Sequence, residues 1–272
     1  MGKHVLLIND LPGYGEVALA AMMPVLSHLG CHVYNLPTAL VSNTLDYGKF
    51  SILETTDYMK ETLAVWEALG FSFDAAAAGF LASEAQAELV ASWFREKRKQ
   101  GMLTFADPIM GDEGRLYNGI PPERTEAMRT LIAEADLICP NYTEAALLAG
   151  VPYCAEGTDR QGIEDIVGAL RRIGARSVVV TSARVDGRDA VAGWDARTGE
   201  AFLLPFTPIP VRFPGTGDIF SAVLLGRVLR GEALPSAVQA AMDAVAALIE
   251  RNRNQPEPFK GIPLETCLEV ID

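Results

Sequence analysis

Histidine is scarce in this chain, with three among 272 residues. A triad built on a histidine base, or a histidine-rich metal centre, therefore has little to draw on. His28 and His32 stand four apart beside Cys31, but the chain passes there from helix to strand and no third ligand accompanies them. Cysteine is sparse too: Cys31, Cys139, Cys154 and Cys267 show neither CxxC nor zinc spacing. That pattern predicts free, mostly buried thiols in a reducing cytoplasm rather than a disulfide framework. No apolar run approaches the ~18 residues of a membrane span. The start, 1–8, is too soon interrupted by Asn9-Asp10 to be a signal peptide, and it reads as a first strand. Basic residues are outnumbered, 23 against 35 acidic, for a net charge of −12. Nucleic acid and anionic membrane are thereby excluded as expected partners. Neither GxxxxGK[ST] nor GxGxxG occurs, which excludes a P-loop and counts against a dinucleotide-dependent dehydrogenase.

What is present is an ordinary globular composition, 49% hydrophobic and 21% charged, with ample material for a core. Strands are predicted at 3–8, 31–37, 74–79, 102–106, 136–139 and 177–181, with a hairpin of 190–194 and 201–205 around Arg197-Thr198-Gly199. Helices are predicted at 17–29, 57–69, 83–99, 123–134, 141–149, 162–173, 218–229 and 235–251, several closed by glycine. Residues 9–15 and 38–48 read as loops, and 252–263 as a connector before an end helix. The alternation predicts right-handed βαβ units and a mainly parallel sheet covered on both faces, in one α/β domain over 1–272. Ligands of such sheets bind beyond the carboxyl ends of the strands. That rim takes in Asn9-Asp10, Gly79-Phe80, Asp107-Pro108, Pro140-Asn141, Thr181-Ser182 and the Gly215 loop.

Chemistry concentrates in Pro214-Gly215-Thr216-Gly217-Asp218, which opens the apolar run 219–225. The first amides of a helix have no intrahelical partner and, with the dipole, stabilise an anion. Asp218 places a carboxylate base at that mouth, the pairing that phosphoryl transfer to an alcohol needs. Thr216 or Asp218 acting only as a helix cap is the structural alternative. Asp107 and Asp112, five apart after a strand, suit Mg²⁺ held directly or through water, or else a solvated Asp-Pro turn. Asn141 and Glu144 make a capping-box pattern, with orientation of the metal's water shell as the functional alternative. Thr181-Ser182 ends a strand and suits either a nucleotide phosphate or a turn.

Taken in order, these stretches resemble the ribokinase-like superfamily and, within it, the pyridoxal/pyridoxamine (vitamin B6) kinases. The likeness runs through Ile8-Asn9-Asp10, Tyr14-Gly15, Val41-Ser42-Asn43, Gly79-Phe80-Leu81, Asp107-Pro108-Ile109-Met110-Gly111-Asp112, Pro140-Asn141-Tyr142-Thr143-Glu144 and Gly215-Thr216-Gly217-Asp218. It implies ATP-dependent phosphorylation of the 5′-hydroxymethyl of pyridoxal, pyridoxamine or pyridoxine in cofactor salvage. It implies Asp218 as general base and the amides of Gly215, Thr216 and Gly217 as anion hole. Asp107, Asp112 and Glu144 would serve Mg²⁺ with ATP, and Thr181 and Ser182 its phosphates. Cys139 stands where relatives often carry a hydroxyl near the phosphates and a monovalent cation (K⁺ or Na⁺), and Tyr117 matches a residue close to the nucleotide. A homodimer is implied as well.

The departures fall in the vitamer pocket formed by Asp10, Tyr14, Ser42, Thr44 and Phe80 with Asp218. Asp10 replaces a serine, Thr44 a histidine and Phe80 a tyrosine of the well-known members. An aspartate there pairs with a protonated ring nitrogen or an ammonium group, which favours pyridoxamine or an aminopyrimidine alcohol. A ribokinase-like kinase for another small alcohol, such as hydroxymethylpyrimidine, is the nearest rival. A sugar kinase is disfavoured because only residues near 50–53 are available for an extended β-lid. A non-catalytic nucleotide- or vitamin-binding regulator is the other rival, and it would have no use for a base at the anion site.

Overall fold

The computed structural model describes residues 2–117 and 119–271. The chain packs as two compact units, one running to Ala82 and resuming at Ile209, the other spanning Ser83–Pro208.

The first unit begins with β1 (His4–Pro12), α1 (Ala18–His28), β2 (His32–Val41), β3 (Ile52–Glu54), α2 (Thr56–Ala68) and β4 (Ala75–Ala78). β1 pairs in parallel with β2 on one side and β4 on the other, and β3 adds antiparallel to β2. Val5–Ile8 and the four alanines of β4 are buried. A strand covered on both faces reads as a continuous apolar run, which is why alanines form one here despite their helix propensity.

Two expected boundaries move. The strand expected over 3–8 continues through Asn9, Asp10 and Leu11 to Pro12, where a loop was expected. β2 likewise continues to Val41, into the start of the loop expected at 38–48. The register shifts between Asn9 and Leu11, so that the ladder is irregular at Asp10. Pro37, which has no N–H to give, sits opposite Asn9 beside that shift. Residues 52–54, overlapping the stretch near 50–53 that was all a lid could use, form only a three-residue edge strand.

The second unit carries α3 (Glu84–Lys99), β5 (Leu103–Ala106), β6 (Gly111–Asp112), β7 (Arg115–Leu116), α4 (Arg124–Ile132), β8 (Leu137–Ile138), α5 (Tyr142–Ala149), α6 (Arg160–Ile173), β9 (Ser177–Val185), β10 (Arg188–Asp195) and β11 (Glu200–Pro205). β5, β8 and β9 are parallel, and β9–β10–β11 form an antiparallel meander that includes the expected hairpin. The caps explain the helix starts: Ser83 Oγ accepts from Gln86 N, and Asp159 Oδ1 from Gly162 N. The Asp159 cap starts α6 two residues ahead of the expected position.

Thr181 and Ser182 do not end their strand as expected; β9 runs on to Val185. They lie at a shift in the ladder, where Ala190 pairs with Ala183 and Ala192 with Val180. Two residues thus face one, a bulge in which Ser182 takes φ +53. The small hairpin β6–β7, turning through Glu113 (φ 51) and Gly114 (φ 81), was not expected from the sequence.

The chain then returns to the first unit as α7 (Thr216–Leu229) and α8 (Leu234–Asn252). α7 is buried from Ile219 to Gly226 and packs on both α1 and α8. The expected connector carries a 3-10 turn at Pro258–Lys260, and the end helix expected after it is instead two 3-10 turns, Leu264–Thr266 and Leu268–Ile271.

Candidate active site

In the first unit the site is built on the start of α7. Gly215 is its N-cap residue with φ 84, and a Cβ there would collide with the Glu16 carbonyl. No side chain caps the helix: the Thr216 hydroxyl donates to Phe213 O at 3.2 Å instead. The capping role left open for Thr216 and Asp218 is therefore not what they do. The first-turn amides keep their outward donor character, and a Cβ on Gly217 would meet open space. Gly215→Ala is expected to lower stability by ~1–3 kcal/mol through φ strain and the Glu16 collision. Urea unfolding checks this, and a midpoint equal to wild type contradicts the tight approach.

Asp218 turns away from its own helix. Oδ2 accepts from Ala18 N at 2.9 Å and Oδ1 from Asn9 Nδ2 at 3.3 Å. To point its amide there, Ala18 adopts φ 49, a left-handed conformation that a non-glycine residue enters at a cost. Burial pushes the Asp218 carboxyl up to about 6, while the Ala18 amide and the Asn9 carboxamide pull the other way. Asp10 is pushed up to about 7 by burial and by the negative charge of Asp218. Two carboxyls, Asp10 of β1 and Asp218 of α7, are thus both raised, Asp10 the further.

The remaining residues expected in the vitamer pocket are held by loop contacts. The Thr44 hydroxyl donates to Phe259 O at 2.8 Å, and the Ser42 hydroxyl donates to Asn43 Oδ1 at 2.7 Å while accepting from Ser51 N. Tyr14 is 46% exposed and its hydroxyl donates to Glu257 Oε2 at 3.3 Å, with Lys260 Nζ 5.5 Å from its ring. Phe80 is half-buried, its amide donating to Asn9 Oδ1 at 2.8 Å and its carbonyl accepting from the Thr38 hydroxyl. Asn9 was expected on the rim but with no role of its own. A polar residue closing the apolar run of 5–8 was the available signal.

In the second unit the start of α5 grips the 107–116 segment. Asn141 and Glu144 form a true capping box. Beyond it, Glu144 Oε1 accepts from Met110 N (3.0 Å) and Gly111 N (3.4 Å), Asn141 Nδ2 donates to Gly111 O (2.8 Å), and Thr143 Oγ1 accepts from Gly114 N (2.9 Å). The two motifs that looked separate in sequence are one unit. Glu144 is buried, and its carboxyl is raised well above the usual range by desolvation first and by the charge of Asp107 second. Asp107 is half-buried just beyond β5.

Asp112 Oδ1 accepts from Glu113 N at 2.8 Å, Tyr117 N donates to Met110 O, and Cys139 is buried. Thr181 N donates to Pro140 O, and the bulged Ser182 is exposed. All four cysteines stand as unbridged thiols, but only Cys139 and Cys267 are buried; Cys31 is half-buried and Cys154 exposed, so the expectation of mostly buried thiols holds for two of the four. Among the described residues, no three acidic, histidine or cysteine side chains converge as a metal-holding set. A divalent cation nonetheless fits the chemistry of Asp107 and Glu144, whose mutual repulsion in a desolvated setting a positive charge would relieve. No helix is long and apolar enough to cross a membrane among the described residues.

Residues 19–261 match the family model for phosphomethylpyrimidine kinase. The chain belongs to the phosphomethylpyrimidine kinase family. The match covers nearly the whole fold just described. Within that breadth, the pyridoxal kinase of Rubrobacter xylanophilus is 30% identical, covering 92% of this chain and 88% of the relative. A Bacteroides thetaiotaomicron protein named for phosphomethylpyrimidine kinase and crystallised with pyridoxal is 33% identical, with a TM-score of 0.94 over 100% of this chain and 96% of the other. The Leishmania donovani pyridoxal kinase in complex with ADP and pyridoxamine is 25% identical, with a TM-score of 0.85 over 99% and 95%. The ribokinase-like α/β class and the kinase family expected from the sequence are both borne out.

Proposed function

We propose that this chain transfers the γ-phosphoryl of ATP to the 5′-hydroxymethyl group of a vitamin B6 vitamer. The supporting observation is Asp218, a carboxylate held by two N–H donors beside an uncapped glycine turn at a helix start. In this reading the vitamer hydroxyl gives its proton to Asp218 as its oxygen attacks the γ-phosphorus. The bond to the β-phosphate oxygen breaks and ADP leaves. The amides of Gly215, Thr216 and Gly217 hold the charge that develops on the transferring group.

The second unit's residues take the nucleotide. Asp107, Asp112 and Glu144 serve Mg²⁺, Glu144 by shaping the loop as much as by charge. Mg²⁺ supplies charge neutralisation on the phosphates. Thr181 and Ser182, at the bulge, address the phosphates, while Tyr117 and Cys139 line the nucleotide side, with K⁺ or Na⁺ as a further cation. The two units act as one kinase domain, in the cytoplasm and as a homodimer.

Relatives named for pyridoxal kinase and a structure holding pyridoxal favour the vitamer over other alcohols. The family's own name keeps hydroxymethylpyrimidine as the second reading. Asp10, with Tyr14, Ser42, Thr44 and Phe80, forms the vitamer end, and its carboxylate selects a cationic vitamer. Asp10→Ser is expected to lower kcat/KM for pyridoxamine relative to pyridoxal by about tenfold, the size of one charge-assisted hydrogen bond. Steady-state rates with both vitamers check this; an unchanged ratio removes Asp10 from specificity.

A further inference from the structure

We infer that Asn9 is a positioning residue for the phosphoryl-transfer step, its carboxamide fixing the orientation of Asp218 and favouring that residue's ionised form. The inference rests on the assignment of Asp218 as base and identifies the side chain that prepares it.

Asn9 is 0% exposed, at the end of the otherwise apolar buried run of β1. A buried carboxamide is tolerated only when its donors and acceptors are matched. Here the match also determines which way round the amide sits. Oδ1 accepts two main-chain donors, Phe80 N at 2.8 Å and Asp10 N at 3.0 Å. The NH₂ group then faces two acceptors, Asp218 Oδ1 at 3.3 Å and Met22 Sδ at 3.6 Å. The flipped amide would set N–H against N–H and oxygen against carboxylate, so the orientation is imposed by the surroundings.

Gly79 makes the room. A Cβ at that position would come within 2.5 Å of Asn9 Nδ2 and 2.7 Å of Oδ1. One residue thereby ties together the base, the main chain of Asp10 and the main chain of Phe80.

The chemical consequence follows from what surrounds Asp218. Asp10 on β1 is the titratable group facing it, and the charge of Asp218 raises the Asp10 carboxyl. Burial disfavours ionisation of Asp218 itself. Opposing that burial are the Ala18 amide from the start of α1, the Asn9 carboxamide from β1, and the positive end of the dipole of α7. Without Asn9, Asp218 keeps one of its two oriented donors. It is then freer to rotate and easier to protonate.

The test is kcat/KM against pH, with ATP and pyridoxal, for wild type, Asn9→Ala, Asn9→Ser and Gly79→Ala, alongside Asp218→Asn. In Asn9→Ala the acidic limb should move up by about one pH unit, the scale of one lost hydrogen bond to a charged group. The rate loss should be about tenfold below the limb and smaller above it. ATP affinity by calorimetry should stay within about twofold, because the lost bonds lie at the base. Gly79→Ala, which crowds the carboxamide without removing it, should move the limb in the same direction. A loss that is uniform across pH, with the limb unmoved in the folded variants, overturns the inference.

A measurement on the unmodified protein covers the case in which every variant fails to fold. The side-chain amide resonances of Asn9 should titrate with the midpoint of the acidic limb, and their failure to do so also overturns it. Turnover retained in Asp218→Asn would remove the base assignment itself. An inactive Asp218→Asn with an unmoved limb in Asn9→Ala removes only the role of Asn9.

Discussion

Asp218→Asn is expected to lower kcat by about 10²–10⁴-fold, the contribution of a positioned general base, with ATP affinity left within about twofold. The substitution keeps the shape and removes the proton acceptor. It also disturbs a local match, because both carboxylate oxygens accept N–H donors, from Ala18 and from Asn9. An asparagine offers one oxygen and one NH₂, so one of those donors loses its acceptor. A stability loss of ~1–3 kcal/mol accompanies the catalytic one, and a melting curve separates the two. The pH profile carries the same signature. With the Asp218 carboxyl pushed up to about 6, wild-type kcat/KM should fall tenfold per unit below that pH as the base becomes protonated. Turnover within threefold of wild type in the mutant, or a flat acid limb in the wild type, contradicts a role for Asp218 as base.

Glu144→Ala is expected to be the most destabilising single truncation in the second unit. Its carboxylate serves the amides of Met110, Gly111 and Asn141 at once. Each buried donor left without an acceptor costs ~1–3 kcal/mol. Relief of burying a carboxylate near Asp107 offsets part of that, so the net loss should be ~3 kcal/mol. Glu144→Gln retains one accepting oxygen and should lose about half as much. Denaturant unfolding of both variants checks the ordering. A Glu144→Ala protein within ~1 kcal/mol of wild type would mean that the 107–116 loop is held by other contacts. Activity should fall further than stability alone explains, since this loop carries Asp107 and Asp112.

These two residues illustrate how unevenly the site was legible in the sequence. Asp218 was readable less from its own stretch, which suits a helix cap equally well, than from acidic metal-site candidates on the same rim and the lack of any other phosphate loop. Its neighbours were less so. Asn9 and Asp10 are polar and turn-prone, so residues 9–12 read as loop, whereas the ladder with β2 carries them as strand. A strand that ends in polar residues for function violates the apolar pattern by which buried strands are recognised. The alanine strand β4 was recoverable because its position between two helices outweighs alanine's propensity.

Thr181 and Ser182 were misplaced for a similar reason. Two polar residues after four valine-rich positions look like an end, and only the pairing with Ala190 and Ala192 reveals a bulge. The Glu144 grip on Met110 and Gly111 joins residues more than thirty positions apart, and local pattern carries no trace of such a contact. Its capping-box half, three residues long, was visible at once.

The proposed reaction is phosphorylation of a B6 vitamer on its 5′-hydroxymethyl group. The direct measurement is ATP consumption by the wild-type protein with pyridoxal, pyridoxamine, pyridoxine and hydroxymethylpyrimidine in parallel, with the phosphorylated product identified by mass. Turnover of the vitamers is expected, pyridoxamine favoured through Asp10, at a kcat/KM at least about tenfold above that for hydroxymethylpyrimidine. Turnover of hydroxymethylpyrimidine alone, or ATP consumption with none of the four, would contradict it.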